Sequence, residues 1–403
     1  MANGQWLTAK SPPTPPSIMI KHTTYSLDQF GVQIQLSEFT SESGRTSLHA
    51  MFHVVPDGQL FENQYSRICQ AYDWLLSQYP DARPQFSRLF LSDATNQAPL
   101  IHDTIHFLQS RTIHYSLFTI HSDAVGYVQQ PPLDGSKVAL WTHLVINETD
   151  TALGLRHLWH MGLTSPQGTS YDQTRTLLED YQQQLRDRQA TFADNCVRTW
   201  FFVRDVDTQY QGLVDARRDN FLIENLTPQT HYISSTGIGG LPADTHAIVQ
   251  MDAYSVLGLR PGQQRYLYAK SHLNPTYEYG VTFERGTAVT YPDRTEYFIS
   301  GTASIDNKGN VLYVGDIVRQ TERMLENVSQ LLHEGGADFS DVMQIIVYLR
   351  DIADYPVVRR IFSERFPQMP LVITYAPVCR PAWLIEMECM AVKQNVAPDS
   401  LSD

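Results

Sequence analysis

The stretch richest in chemistry lies near the C-terminus: APVCRPAWLIEMECMAV, residues 376–392. Its second half alternates like a β-strand. A period of two sets Leu384, Glu386, Glu388 and Met390 on one face, and Ile385, Met387, Cys389 and Ala391 on the other. A glutamate on so apolar a strand has two readings. Glu386 is a solvated residue on a half-exposed sheet, or it lies in a partly desolvated cleft. There its pKa rises, and it can hold a proton at neutral pH as a general acid, or orient water as a base. Arg380 can grip a substrate carboxylate with two parallel hydrogen bonds; a surface arginine at a strand end is the plain alternative. Cys379 reads as a pocket residue or a small core thiol, and not as a nucleophile, because no histidine lies nearby in sequence to serve as its base. In SGTAS (300–304), the backbone N–H groups of Gly301 and Thr302, with Ala303 beside them, offer a turn that can bind a carboxylate; a plain hairpin competes with that reading. Tyr279, Arg285 and Tyr375 are second-rank pocket candidates.

The elements that hold these residues recur along the chain. ENQYSRICQAYDWLLSQYP (62–80), YDQTRTLLEDYQQQLRDR (171–188) and VRQTERMLENVSQLLHEGG (318–336) each place apolar residues at helical spacing after a polar entry. Each is followed by a strand ending at an aspartate, Asp93, Asp205 or Asp351. From Gln64, Gln173 and Gln320 to those aspartates the separations are 29, 32 and 31 residues, which points to three copies of one unit. A second helical stretch and two more strands follow each aspartate, for example IHYSLFTIHS (113–122) with KVALWTHLV in the first copy. The unit reads β(β)–α–β–α–β–β and predicts an α+β layer, with two helices packed on one face of a sheet. Aligning the copies matches Glu386 with Gln250 and Ala139, and Glu388 with Asp252 and Trp141. The later acidic position recurs; the earlier one is unique to copy three.

The expected division is an N-terminal tail at 1–23, a degenerate repeat at 24–150, a second at 151–258, an insertion with the third repeat at 259–396, and a tail at 397–403. The insertion, about 259–290, is rich in tyrosine and punctuated by Pro and Gly, so it reads as a long ordered loop or hairpin. With 403 residues and 42% hydrophobic content the chain can bury large cores. It lacks both a signal-peptide pattern and a run long enough to cross a membrane, so a cytoplasmic protein with no membrane partner is expected. Four scattered cysteines suggest neither disulfides nor a zinc site. The formal charge of −13 argues against nucleic acid as a partner. His157 and His160, three apart in RHLWHMG, would point to opposite faces of a strand, which argues against a metal site.

Copy three resembles the Rid (YjgF, endoribonuclease L-PSP-like) family through YFISGTASIDNKGNVLYVGDIVRQTERMLENVSQLLHEGGADFSDVMQIIVYLRDIADYPVVRRIFSERFP. Within that superfamily the chain is most similar to the chorismatases, through SGTASI, VGDIVRQTERMLENV, VCRPAWLIE, STGIGG (235–240) and YEYGVTFERGT (277–287). The resemblance covers roughly residues 190–392. It implies a chorismate-mutase-like fold assembled around a threefold axis, with ligand pockets between neighbours. Three copies in one polypeptide then imply an intrachain pseudo-trimer, a monomer able to associate further. Both Rid deaminases and chorismatases carry a glutamate at the place of Glu386. Cys379 resembles the cysteine of hydroxybenzoate-forming chorismatases. The carboxylate-binding arginine of Rid deaminases, further upstream on the preceding strand, has no counterpart in PLVITYAP, which leaves Arg380 or Arg285 as the substitute. What the resemblance implies is an enzyme without a cofactor that cleaves the enolpyruvyl ether of chorismate or a similar small cyclic carboxylate. An enamine/imine deaminase and a non-catalytic metabolite-binding protein are the alternatives. Ribonuclease activity fits the charge poorly.

Overall fold

The computed structural model describes residues 20–101 and 125–395. It contains three sheets that repeat one strand order. The first is built from β1 (Lys21–Leu27), β2 (Val32–Thr40), β3 (Thr46–Val54), β4 (Arg83–Leu91), β5 (Val125–Gln129) and β6 (Val138–Ile146), with helix α1 (Phe61–Gln78) after β3. The second has β7 (Arg156–Thr164), β8 (Cys196–Val203), β9 (Ser234–Gly239) and β10 (Val249–Leu257), with helices α2 (Ser170–Arg186) and α3 (Val206–Ile223). The third has β11 (Gln264–Leu267), β12 (Gly286–Thr290), β13 (Arg294–Ala303), β14 (Val342–Leu349), β15 (Leu371–Tyr375) and β16 (Ile385–Gln394), with α4 (Ile317–Gly335) and α5 (Tyr355–Arg365). The shared order is β3-β6-β4-β5, β7-β10-β8-β9 and β13-β16-β14-β15. In each, the last pair is parallel and the others are antiparallel.

Cross-strand register supports the repeat alignment residue by residue. Trp141, Asp252 and Glu388 lie opposite Arg88, Trp200 and Ile346, while Ala139, Gln250 and Glu386 lie opposite Phe90, Phe202 and Tyr348. One detail differs from expectation in copy one, and one is untested. The strand expected at 113–122 lies outside the described residues, and the partner of β4 is the later segment β5. The insertion is a hairpin-like excursion: β11 and β12 pair antiparallel, and the connection between them carries a 3-10 turn, Thr276–Tyr279.

Helices form where the sequence gives one apolar stripe and a stop. In α4, Met324, Leu325, Val328, Leu331 and Leu332 are buried, Asp316 caps the first turn by accepting from the Arg319 N–H, and Gly336 ends the helix in a left-handed conformation. α2 starts with a capping box between Thr169 and Asp172. Each sheet packs its helices on one face, and the opposite faces converge. Single β-bridges join Gln129 to Leu241, Ile238 to Val378 and Pro132 to Thr374, so copies one and two, two and three, and one and three each meet at a seam. The chain is a closed intrachain pseudo-trimer.

Charged groups are sealed at the centre of this ring. Arg88 pairs with Asp252 (Nη2–Oδ2 2.8 Å), and Arg198 pairs with Glu388 (Nη2–Oε2 2.8 Å). All four residues are at most 2% exposed. Glu388 also accepts from Trp200 Nε1 (2.7 Å) and Thr236 Oγ1 (2.5 Å), so its lone pairs are satisfied, as a buried carboxylate requires. Nearby, His49 and His143 stack at 4.3 Å between ring centres, both buried.

Candidate active site

One face of β16 thus carries two carboxyl groups with opposite surroundings. Glu388 is fully bonded. Two residues earlier, Glu386 lies at the seam between copies two and three, 5% exposed, and its carboxyl has no hydrogen-bond partner among the described residues. Burial, helped by the negative charge of Glu388, pushes its pKa up to about 8, while Arg285 and Arg198 pull it back. At neutral pH the carboxyl is therefore mostly protonated. Its position depends on Gly301, in a bulged part of β13 where the register with β16 shifts between Ile299 and Thr302. A Cβ on residue 301 would overlap Glu386 Oε1 and lie 2.9 Å from its Cδ. Only glycine leaves room for the carboxyl there.

Glu386 faces a cavity of about 30 Å³, room for one water. Three guanidinium groups surround it. Arg217, from α3 of copy two, is 1% exposed and donates through Nε to Thr282 Oγ1 (3.2 Å) and through Nη1 to Ser235 Oγ (3.4 Å). Its Nη2 lacks a well-formed hydrogen bond, although the Tyr210 phenol interacts with the group. Arg285 bonds Asn274 through Nη2, and its buried Nε has no acceptor. Arg380 donates to the Tyr279 carbonyl at 3.2 Å. The Tyr279 ring lies 5.3 Å from the Arg285 guanidinium carbon and 4.9 Å from that of Arg380, a cation–π bracket that closes the cavity. Cys379 completes the wall; burial pushes its thiol up to about 12, so it stays protonated. Three cations, two of them with unused buried donors, facing one protonated acid make a site suited to an anion that accepts a proton.

Of the nine residues singled out from the sequence, seven line this cavity: Glu386, Arg380, Cys379, Gly301, Ala303, Tyr279 and Arg285. Two do not. Thr302 turns its hydroxyl to the Ser300 carbonyl (2.9 Å) and is wholly buried off the cavity wall. Tyr375 lies at the end of β15 by the other seam, 38% exposed, its N–H donating to the Pro131 carbonyl. The SGTAS stretch is a strand rather than an anion-binding turn: β13 continues through Ala303, and the Gly301 N–H is already given to Thr236 Oγ1 (2.9 Å). Gly301 matters for space, not for its donor. Sequence reasoning missed Arg217 and Tyr210, supplied by copy two, which also gives the Ser235–Gly237 wall from the STGIGG stretch. Arg217 had a signal: with Leu213, Ala216 and Asn220 it falls on the buried stripe of α3, where a lone cation is out of place.

The other seams have lost this arrangement. Gln250, at the position of Glu386, donates to the Tyr127 carbonyl at 3.0 Å, and Gly126 packs so closely on Met161 that a Cβ would stand 2.8 Å from it. Ala139 has no functional group. His157 lies with Glu148 and Asp150 in one cluster. Its two ring nitrogens bond Asp150 and Tyr254, and Arg294 and Arg45 already supply the countercharge for Asp150. His160 lies elsewhere, edge-on to Tyr181.

The family profile described as Endoribonuclease L-PSP matches residues 288–393, which is copy three. Over 99 residues the chain is 35% identical to a RutC family protein of Pyrococcus abyssi, covering 24% of this chain and 78% of that one. Over 71 residues it is 35% identical to the 3-aminoacrylate deaminase RutC of Acinetobacter baylyi, covering 18% of this chain and 56% of that protein. Among solved structures, a chorismatase crystal structure superposes with a TM-score of 0.55 at 19% identity, over 68% of this chain and 88% of that one. No helix among the described residues is long and apolar enough to cross a membrane. The threefold strand order, the match of copy three and the breadth of the structural superposition lead to one assignment: the chain belongs to the Rid/YjgF superfamily, RutC proteins included, with a chorismatase-like fold.

Proposed function

We propose that the protein is an enzyme that cleaves the enolpyruvyl ether of chorismate, or of a similar small cyclic carboxylate, at the seam between copies two and three. The observation that carries this reading is the unpartnered carboxyl of Glu386, protonated at neutral pH and faced by Arg217, Arg285 and Arg380. Glu386 gives its proton to the methylene carbon of the enolpyruvyl group, and an oxocarbenium ion forms at the adjacent ether carbon. Water adds to that carbon and returns a proton to Glu386. The hemiketal then collapses, the ring oxygen leaves as an alcohol and pyruvate is released. The guanidinium groups bind the substrate carboxylates and hold them against the acid. No carboxylate of the described residues pairs with any of the three, and Arg217 and Arg285 keep an unused buried donor, which fits a substrate with more than one carboxylate.

The cavity must widen before a ring can enter. The turn at Thr276–Tyr279 is the wall we assign to this movement: its backbone hydrogen bonds are local, and Gly280 ends it at φ 86°. Incubation with chorismate, with pyruvate followed by a coupled dehydrogenase, should show turnover that disappears in Glu386→Gln. Absence of pyruvate from the wild type would remove the reading.

A second reading, an enamine/imine deaminase, draws on the 3-aminoacrylate deaminase among the relatives. Glu386 would then orient the attacking water. β15, LVITY, lacks the arginine that resemblance places upstream, and Arg285 or Arg380 would have to replace it. Faster ammonia release from imines generated in situ would favour this alternative, and ligand-dependent thermal shifts without turnover would favour a binding protein.

A further inference from the structure

Arg285 is a wall of two cavities. The second, about 170 Å³, is more open and is lined by Tyr232, Tyr268, Tyr277, Lys270 and Glu284 together with Arg285. Copy two gives Tyr232 from the segment after α3; the insertion gives Tyr268, Lys270 and Tyr277. A cavity of about 150 Å³ can hold a benzene ring, so a one-ring ligand fits this space whereas it does not fit the 30 Å³ behind Arg285.

The lining specifies more than size. Three tyrosine rings present flat apolar surface with polar rims. Lys270 is exposed, with its ammonium 5.3 Å from the centre of the Tyr268 ring and no carboxylate within 4 Å among the described residues. Glu284 is 6% exposed; its Oε1 accepts the Tyr232 N–H at 2.8 Å, and its other oxygen has no partner among the described residues. Burial raises this carboxyl to about 7, so near neutrality it can both give and accept a hydrogen bond. The reaction proposed above uses neither Lys270 nor Glu284.

We propose that this outer cavity is a second binding site, for a one-ring aromatic carboxylate bearing a hydroxyl group. Lys270 takes the carboxylate, the tyrosines enclose the ring and Glu284 meets the hydroxyl. The proposal stands apart from the enol-ether reaction, because it concerns binding alone and rests on Lys270, Glu284 and the tyrosines Tyr232, Tyr268 and Tyr277, none of which lines the inner pocket.

The test is calorimetric titration of the full chain with 4-hydroxybenzoate. The expected result is binding in the wild type, weakened about tenfold by Lys270→Gln and by Tyr268→Ala. Both side chains reach solvent, so both variants should melt at the wild-type temperature. Glu386→Gln, in the inner pocket, should bind as the wild type does, and benzoate should bind more weakly than its hydroxylated form. Two results would overturn the proposal. One is no binding up to about 10 mM ligand, a concentration at which even millimolar affinity registers. The other is binding that is indifferent to Lys270→Gln and Tyr268→Ala but lost in Glu386→Gln.

Discussion

Replacing Glu386 with glutamine should stabilise the protein, by an amount that grows with pH. Burial raises the carboxyl from an ordinary 4.5 to about 8 in the folded chain. A carboxyl whose folded pKa is raised keeps full stability below the unfolded value and loses it as pH climbs toward the folded one. The unfolded chain ionises Glu386 freely above 4.5, while the folded chain must hold the proton. That difference costs under about 1 kcal/mol at pH 5 and roughly 3 kcal/mol at pH 7, from about 1.4 kcal/mol per pH unit. Glutamine has nearly the same shape and does not titrate. Its amide brings a hydrogen-bonding offset of about 1 kcal/mol that is independent of pH, so the diagnostic quantity is the slope. Urea denaturation of both proteins at pH 5, 6 and 7, followed by tryptophan fluorescence, gives the gap at each pH. A gap that stays constant would mean that the carboxyl titrates normally, and the argument for a poised acid would fail whatever the substrate.

Other outcomes follow from the same geometry. If protonated Glu386 is the working form, kcat/KM for enol-ether cleavage should be level near pH 7 and fall about tenfold per unit above pH 8; a profile rising through pH 8 would assign the work to the carboxylate. Gly301→Ala forces the Glu386 carboxyl aside and should abolish turnover while lowering the melting temperature; a fully active variant would show that the contact is not needed. Arg198→Met leaves Glu388 as an unpaired buried charge and should cost about 3–5 kcal/mol in denaturation. His49 is held neutral by burial, its pKa lowered to about 3, and His143 is also lowered by burial. Both contribute stability that is full above pH 6.5 and lost as pH falls; for His49 the loss reaches about 2 kcal/mol by pH 5. A His49→Phe protein that loses as much stability on acidification as the wild type would contradict this.

Much of the architecture was legible because a repeated unit writes its own alignment. The spacing from Gln64, Gln173 and Gln320 to the three aspartates located the strands, and the alternation in LIEMECMAV set Glu386 and Glu388 on one face. Opposite surroundings for two glutamates so alike in sequence were not legible. That difference arises from Arg198, Trp200 and Thr236, between 152 and 190 residues away in copy two. Arg217 was hidden for the same reason: a seam draws its walls from chain segments with no local relation. Thr302 and Tyr375 lie off the cavity because SGTAS, which reads as a turn, continues β13 through Ala303, and because Tyr375 ends its strand at a different seam, beside Pro131 of copy one. The charge of −13 gave no hint of three arginines converging on one cavity, since a net balance says nothing about where charges meet.

A ring whose three walls share one peptide backbone has a numerical consequence. When identical subunits assemble, every substitution appears at all three junctions at once, and a change good for catalysis at one is imposed on the others. Here Ala139, Gln250 and Glu386 vary independently, so one junction keeps an acid while another is locked shut by an amide. Saturating ligand at the inner pocket should therefore read as a single equivalent per polypeptide, with a hyperbolic isotherm and no cross-talk among like sites.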